Sequence, residues 1–93
     1  MDIRIEPLGD HEYLVRFPGP DGEITSRFRA TQAVLDQVDV PGVDEARFIE
    51  ATSQFLTDRQ PVIDIPPMID LEDVVAAYGD DYLREVTRRL QPL

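Results

Sequence analysis

The sequence predicts an α+β domain: a three-stranded antiparallel β-meander followed by, and packed on, two main α-helices plus one short helix. Three observations carry this. Apolar and polar residues alternate through the first thirty positions, in runs bounded by glycine and proline clusters. Beyond residue 44 the apolar positions step by three or four, the spacing of a helical stripe. A chain of 93 residues with 42% hydrophobic content suits one globular domain and leaves little room for two. A sheet with one apolar face needs helices to cover it.

The strands are expected at 2–6, 11–18 and 23–30. Ile3 and Ile5 alternate with Arg4 and Glu6, and Pro7, Gly9 and Asp10 break the run. Tyr13, Val15 and Phe17 alternate with Glu12, Leu14 and Arg16. The cluster Pro18-Gly19-Pro20-Asp21-Gly22 is a turn. Ile24 and Phe28 then share a face, with Thr25, Arg27 and Arg29 on the other. The inward face thus collects Ile3, Ile5, Tyr13, Val15, Phe17, Ile24 and Phe28.

Thr31 offers an N-cap to a short helix over 32–38, which Asp39-Val40-Pro41-Gly42 stops. The clearest helix covers 45–59. Asp44 caps it, and Val43 and Phe48 occupy the two positions of a hydrophobic staple. Phe48, Ile49, Thr52, Phe55 and Leu56 form its stripe. Arg59 suits the negative end of the dipole, and Gln60-Pro61 stops the helix. Residues 61–69, Pro-Val-Ile-Asp-Ile-Pro-Pro-Met-Ile, show neither a helical nor a strict strand period. They read as a stiff, apolar connector. A C-terminal helix follows over 70–91, with Asp70 as cap and Asp73 completing a capping box. Gly79 interrupts its stripe at a cost of about 1 kcal/mol against alanine, so one long helix and a break into 71–78 and 80–90 are both open.

Composition excludes more than it assigns. There is no cysteine and no lysine, and all nine basic residues are arginine. Disulfide scaffolds, thiolate metal sites and cysteine nucleophiles are therefore removed, as are lysine Schiff bases and lysine-dependent phosphate loops. Nineteen acidic residues give a net charge of −10, which works against polyanionic partners. No apolar run reaches the roughly 18–20 residues of a membrane span, and the N-terminal residues show no secretion signal. A cytoplasmic setting without membrane attachment is expected. No cofactor or metal is implied.

Four places could carry function. Glu72, Asp73, Asp80, Asp81 and Glu85 form the densest acidic cluster, but they match no Ca²⁺ loop. They read better as helix-start charges and as partners for Arg84, Arg88 and Arg89 three or four residues on. Arg16, Arg27 and Arg29 on the outward sheet face could hold an anion or nucleic acid, although Glu6 and Glu12 share that face. His11 beside Glu12 could serve as a general base, but no serine or second histidine forms a recognisable triad with it. Within the connector, Val62, Ile63, Ile65, Met68 and Ile69 could either plug the core or offer an apolar strip to a protein partner or a second copy.

The order of these features resembles a known grouping. A short meander precedes a helix ending Phe55-Leu56-Thr57-Asp58-Arg59-Gln60-Pro61, and Asp70-Leu71 opens a helix carrying Tyr78 before Gly79. This is similar to a group of small bacterial proteins, common in actinobacteria, for which no activity is known. The similarity covers residues 10–90 or so, and Pro66-Pro67 depart from it, since members look helical or turn-like there. It implies a β-then-α order and transfers no functional residue. The expectation for function is a non-enzymatic protein-interaction module or homodimer. The alternatives are a ribbon-type nucleic-acid-binding or antitoxin-like regulator using the sheet arginines and, remotely, a small enzyme using His11 and carboxylates.

Overall fold

The computed structural model describes residues 3–37 and 44–90. In chain order it contains β1 (Arg4–Gly9), β2 (Glu12–Gly19), β3 (Gly22–Arg29), α1 (Gln32–Gln37) and α2 (Glu45–Thr57). A 3₁₀ turn (Val62–Asp64), β4 (Met68–Asp70), α3 (Leu71–Tyr78) and α4 (Asp80–Leu90) follow. The expected stop at Asp39–Gly42, the last residue of the expected short helix, Val43 of the staple and the first residue of the expected first strand lie outside the described residues. No helix among the described residues is long and apolar enough to cross a membrane.

The class is α+β, but the sheet is not the expected one. It has four strands in the order β1-β2-β3-β4, and it is mixed. The first three form the antiparallel meander, with Val15 opposite both Ile5 and Ser26. β4 then returns parallel to β3, pairing Arg27 with Met68, Phe28 with Ile69 and Arg29 with Asp70. The missed strand is three residues long and preceded by two prolines, so it has no alternation to read. Proline restricts the residue before it to extended backbone, which makes Pro66-Pro67 a straight lead-in. Two hydrogen bonds fix that lead-in: Arg27 N–H donates to Pro67 O at 2.8 Å, and the Ser26 hydroxyl donates to Pro66 O at 2.7 Å. The parallel return is possible because α1 and α2 form the crossover between the strands.

The first strand also runs further than expected, through Pro7 to Gly9. Proline is tolerated there because β1 is an edge strand and its missing N–H costs no ladder bond. The β1–β2 turn is Asp10-His11, with φ of 51° and 64°. Two consecutive left-handed residues make the turn type that matches strand twist, usually built from Asn-Gly rather than from side chains that strain there.

The helices cover the sheet face bearing Val15, Phe17 and Phe28, all fully buried. Phe48, Ile49, Phe55 and Leu56 come in from α2, Leu71 and Val74 from α3, and Tyr82, Val86 and Leu90 from α4. Asp44 and Asp70 act as the expected N-caps, but among the described residues no hydrogen bond from Asp73 completes the expected capping box. Asp44 accepts from Ala46 N–H and Asp70 from Glu72 N–H, each at 2.9 Å. The C-terminal helix is two helices. Gly79 adopts φ 58° and ψ −133°, a geometry suited to glycine, and turns α4 back onto α2. Phe55 meets Tyr78 and Tyr82 edge-on, with ring centroids 5.2 Å apart in each case.

Candidate functional site

The connector resolves into two kinds of residue. Ile65 and Ile69 point into the core, at 5% and 9% exposure, and Val62 is half-buried against it. Ile63 and Met68 point out, at 67% and 66%. Of the five apolar residues expected to offer a strip, only these two present most of their surface. They do not sit together. Ile63 lies beside the β2–β3 turn, lining a small hollow with Pro20 and Ile24. Met68 lies at the sheet edge, where it borders two cavities.

The larger of these cavities, about 250 Å³, lies between the connector, the end of α2 and one face of α3. Leu56, Pro66, Val74, Ala77 and Tyr78 give it an apolar lining. Asp64, Asp70 and Asp73 lie along it, and among the described residues no basic one does. None of these three carboxylates makes an ion pair among the described residues. The second cavity, about 240 Å³, opens toward the outward sheet face beside Glu12, Arg27 and Arg29. Both share Met68, Ile69, Asp70 and Asp73. The edge of β4 therefore runs between two hollows, in a groove that neither hydropathy nor charge pattern revealed. Asp73 was visible in the sequence only as part of a capping box and of the acidic cluster.

The sheet arginines are mostly engaged. Arg16 donates to Glu6 at 3.0 Å and Arg27 to Glu12 at 3.3 Å. Arg4 reaches across β2 to Glu23 at 3.0 Å. Among the described residues Arg29 has no ion pair, and it stands between Glu12 and Asp70 in the strand register. Cross-strand pairs of this exposed kind are worth about 0–1 kcal/mol each. They occupy two of the three arginines a phosphate ligand would use.

His11 has a partner that its sequence neighbours did not suggest. Its Nδ1 lies 2.9 and 3.1 Å from the two carboxylate oxygens of Glu45, at the start of α2. The Tyr13 hydroxyl donates to the same carboxylate at 2.8 Å. Partial burial, then the hydrogen bond to Glu45 and its charge, with a contribution from Asp44, push the Tyr13 hydroxyl up to about 12. Nδ1 is thus the ring nitrogen turned to Glu45, and Nε2 lies outside this contact. That is an orienting pair for a base. The expected Glu12 is bonded to Arg27 instead. Among the described residues no serine or threonine hydroxyl joins the pair. Ser26 and Ser53 are buried and donate to the carbonyls of Pro66 and Ile49.

The acidic cluster disperses onto helix surfaces. Asp81 pairs with Arg84 at 3.6 Å, and Glu85 with Arg88 at 2.6 Å. Arg88, chiefly through its hydrogen bond, holds the Glu85 carboxyl below its ordinary value. Arg89 ties α4 to α2, donating to Asp58 at 2.6 Å and to Gln54 at 3.0 Å. Among the described residues no three metal-ligating side chains come together. Compared with protein-family models, curated proteins and solved structures, the chain matches none.

Proposed function

We propose that this protein is a non-enzymatic protein-interaction module, and that the groove along β4 is its contact surface. The observation that carries the reading is Met68, a large apolar side chain 66% exposed beside an apolar hollow bordered by Asp64, Asp70 and Asp73. An exposed apolar side chain next to a concave apolar wall is what a partner buries, and unpaired carboxylates at its border select a basic one. Ile63 offers a second, separate apolar contact. The setting is read as cytoplasmic, in keeping with a chain that uses no cysteine.

Met68→Asp is the test. The side chain is outside the core, so folding is retained. Bait proteins of both forms are exposed to extract from the native cell, and each is sedimented alone at micromolar concentration. The reading requires a partner held by the native protein and lost by the variant, or a native dimer that the variant dissociates. Identical partners and identical monomers for both would dismiss the groove as the contact surface.

A further inference from the structure

The two edges of the sheet are not equivalent. β1 is blunted: Pro7 supplies no N–H, and the ladder shifts register between Pro7 and Gly9. β4 carries neither device. In a parallel ladder, alternate residues of a strand direct both backbone groups to the same neighbour. Arg27 N–H donates to Pro67 O, and Met68, Ile69 and Asp70 pair with Arg27, Phe28 and Arg29. The groups facing β3 are thus the Pro67 carbonyl and both groups of Ile69. By the same parity the Met68 amide and carbonyl, and the Asp70 amide, face away from the sheet. Both hollows of the groove border this stretch of β4. The far wall of the groove is the α3 face carrying Asp73, Val74, Ala77 and Tyr78.

We infer that this groove receives an extended segment of a partner as an added strand on β4, with an apolar side chain seated against Leu56, Val74 and Tyr78 and a flanking lysine or arginine on Asp64 or Asp73. The inference rests on the groove being the contact surface. Three features point to this occupant. The open backbone groups need a strand rather than a helix, since a helix has already used its own. The hollow on the α3 side takes one side chain of every second residue, as an added strand presents them. Among the described residues the hollow on the α3 side carries three carboxylates and no base, which matches a cationic residue and repels an acidic one, whereas Arg27 and Arg29 border the hollow on the outward sheet face. With only three residues, β4 contributes few main-chain bonds, so the side-chain contacts decide the partner.

A capped peptide, Lys-Val-Leu-Val-Lys, is a direct probe, because its leucine and both lysines share one face of a strand. It is titrated into the whole protein to about 1 mM while backbone amide signals are followed by NMR. Binding should move Met68, Asp70, Asp73 and Val74, and a Glu-Val-Leu-Val-Glu peptide should not. Two further peptides carry N-methyl groups, one on the leucine and one on both valines. An added strand turns only alternate amides toward β4, so one of them should lose about tenfold or more in affinity while the other binds as before. Equal binding by both, at the same residues, would reject strand addition and leave the groove as a contact surface of another kind. Absence of any shift at these residues, with the native protein still holding a partner that Met68→Asp loses, would also reject it.

Discussion

The buried hydroxyl of Ser26, on β3, donates to the carbonyl of Pro66 at 2.7 Å, joining positions forty residues apart. It is the side-chain bond that seats the proline lead-in, and so β4, against the meander. Ser26→Ala leaves that carbonyl without its donor. The expected cost is about 1–2 kcal/mol by denaturant unfolding. The amides of Met68–Asp70 should exchange faster, while those of β2 fall only in step with global stability. An unchanged midpoint would mean the prolines alone place β4.

The Thr52–Tyr82 bond, 2.8 Å between hydroxyls in the core, gives an asymmetric pair of variants. Thr52 also donates to the Phe48 carbonyl at 2.9 Å, so it keeps a partner when Tyr82 is changed to phenylalanine. Tyr82 has no such second bond among the described residues. Thr52→Val should therefore cost about 2 kcal/mol by stranding a buried hydroxyl, and Tyr82→Phe about 1 kcal/mol or less. The reverse order in chemical unfolding would refute this account of the core.

Stability should fall on the alkaline side. The Tyr13 hydroxyl is raised to about 12, so the folded protein keeps a proton that the unfolded chain loses near 10. Its contribution is complete below about pH 10 and is lost as pH rises through the folded value. Burial pushes Tyr82 in the same direction. Glu45→Gln removes the charge but not the desolvation. Ultraviolet titration should then show Tyr13 ionising earlier, though still above its ordinary value. A Tyr13 titration indifferent to Glu45→Gln would contradict the contact.

Gly79→Ala isolates a backbone effect. A β-carbon there would meet nothing within 4 Å, so no clash is created. The φ of 58° with ψ of −133° is still a poor geometry for any L side chain. Alanine should lower stability by about 1–3 kcal/mol. A stabilised variant would mean that α3 and α4 can fuse without loss.

How far these relationships were legible depended on their reach along the chain. The meander, α2 and the Asp44 and Asp70 caps depend on neighbours within a few residues, so period and cap chemistry disclosed them. Gly79 announced a possible break, but choosing it needed the packing of α4 on α2. β4 was hidden because a parallel pairing leaves no local signature. The Met68–Ile69–Asp70 stretch was readable only as connector and cap. The connector mixes buried and exposed apolar residues: Ile65 and Ile69 enter the core, whereas Ile63, in the 3₁₀ turn, and Met68, on β4, face out. His11 and Glu45 are 34 positions apart, and no pattern within a window joins them.

The parallel pairing of β3 and β4 also has a consequence for the order of assembly. The meander needs only adjacent turns, and it can close early. β4 can pair only after the whole crossover has been threaded, because its contacts link Arg27 to Met68. Closing a loop of that length is the slower step. The last strand to dock is also held by the fewest rungs, so it is the first to release. A newly made chain therefore exposes the open edge of β3, with the backbone groups of Arg27 and Arg29, until its own residues 68–70 arrive, and during that interval its own C-terminal half competes with any neighbouring chain for the same edge.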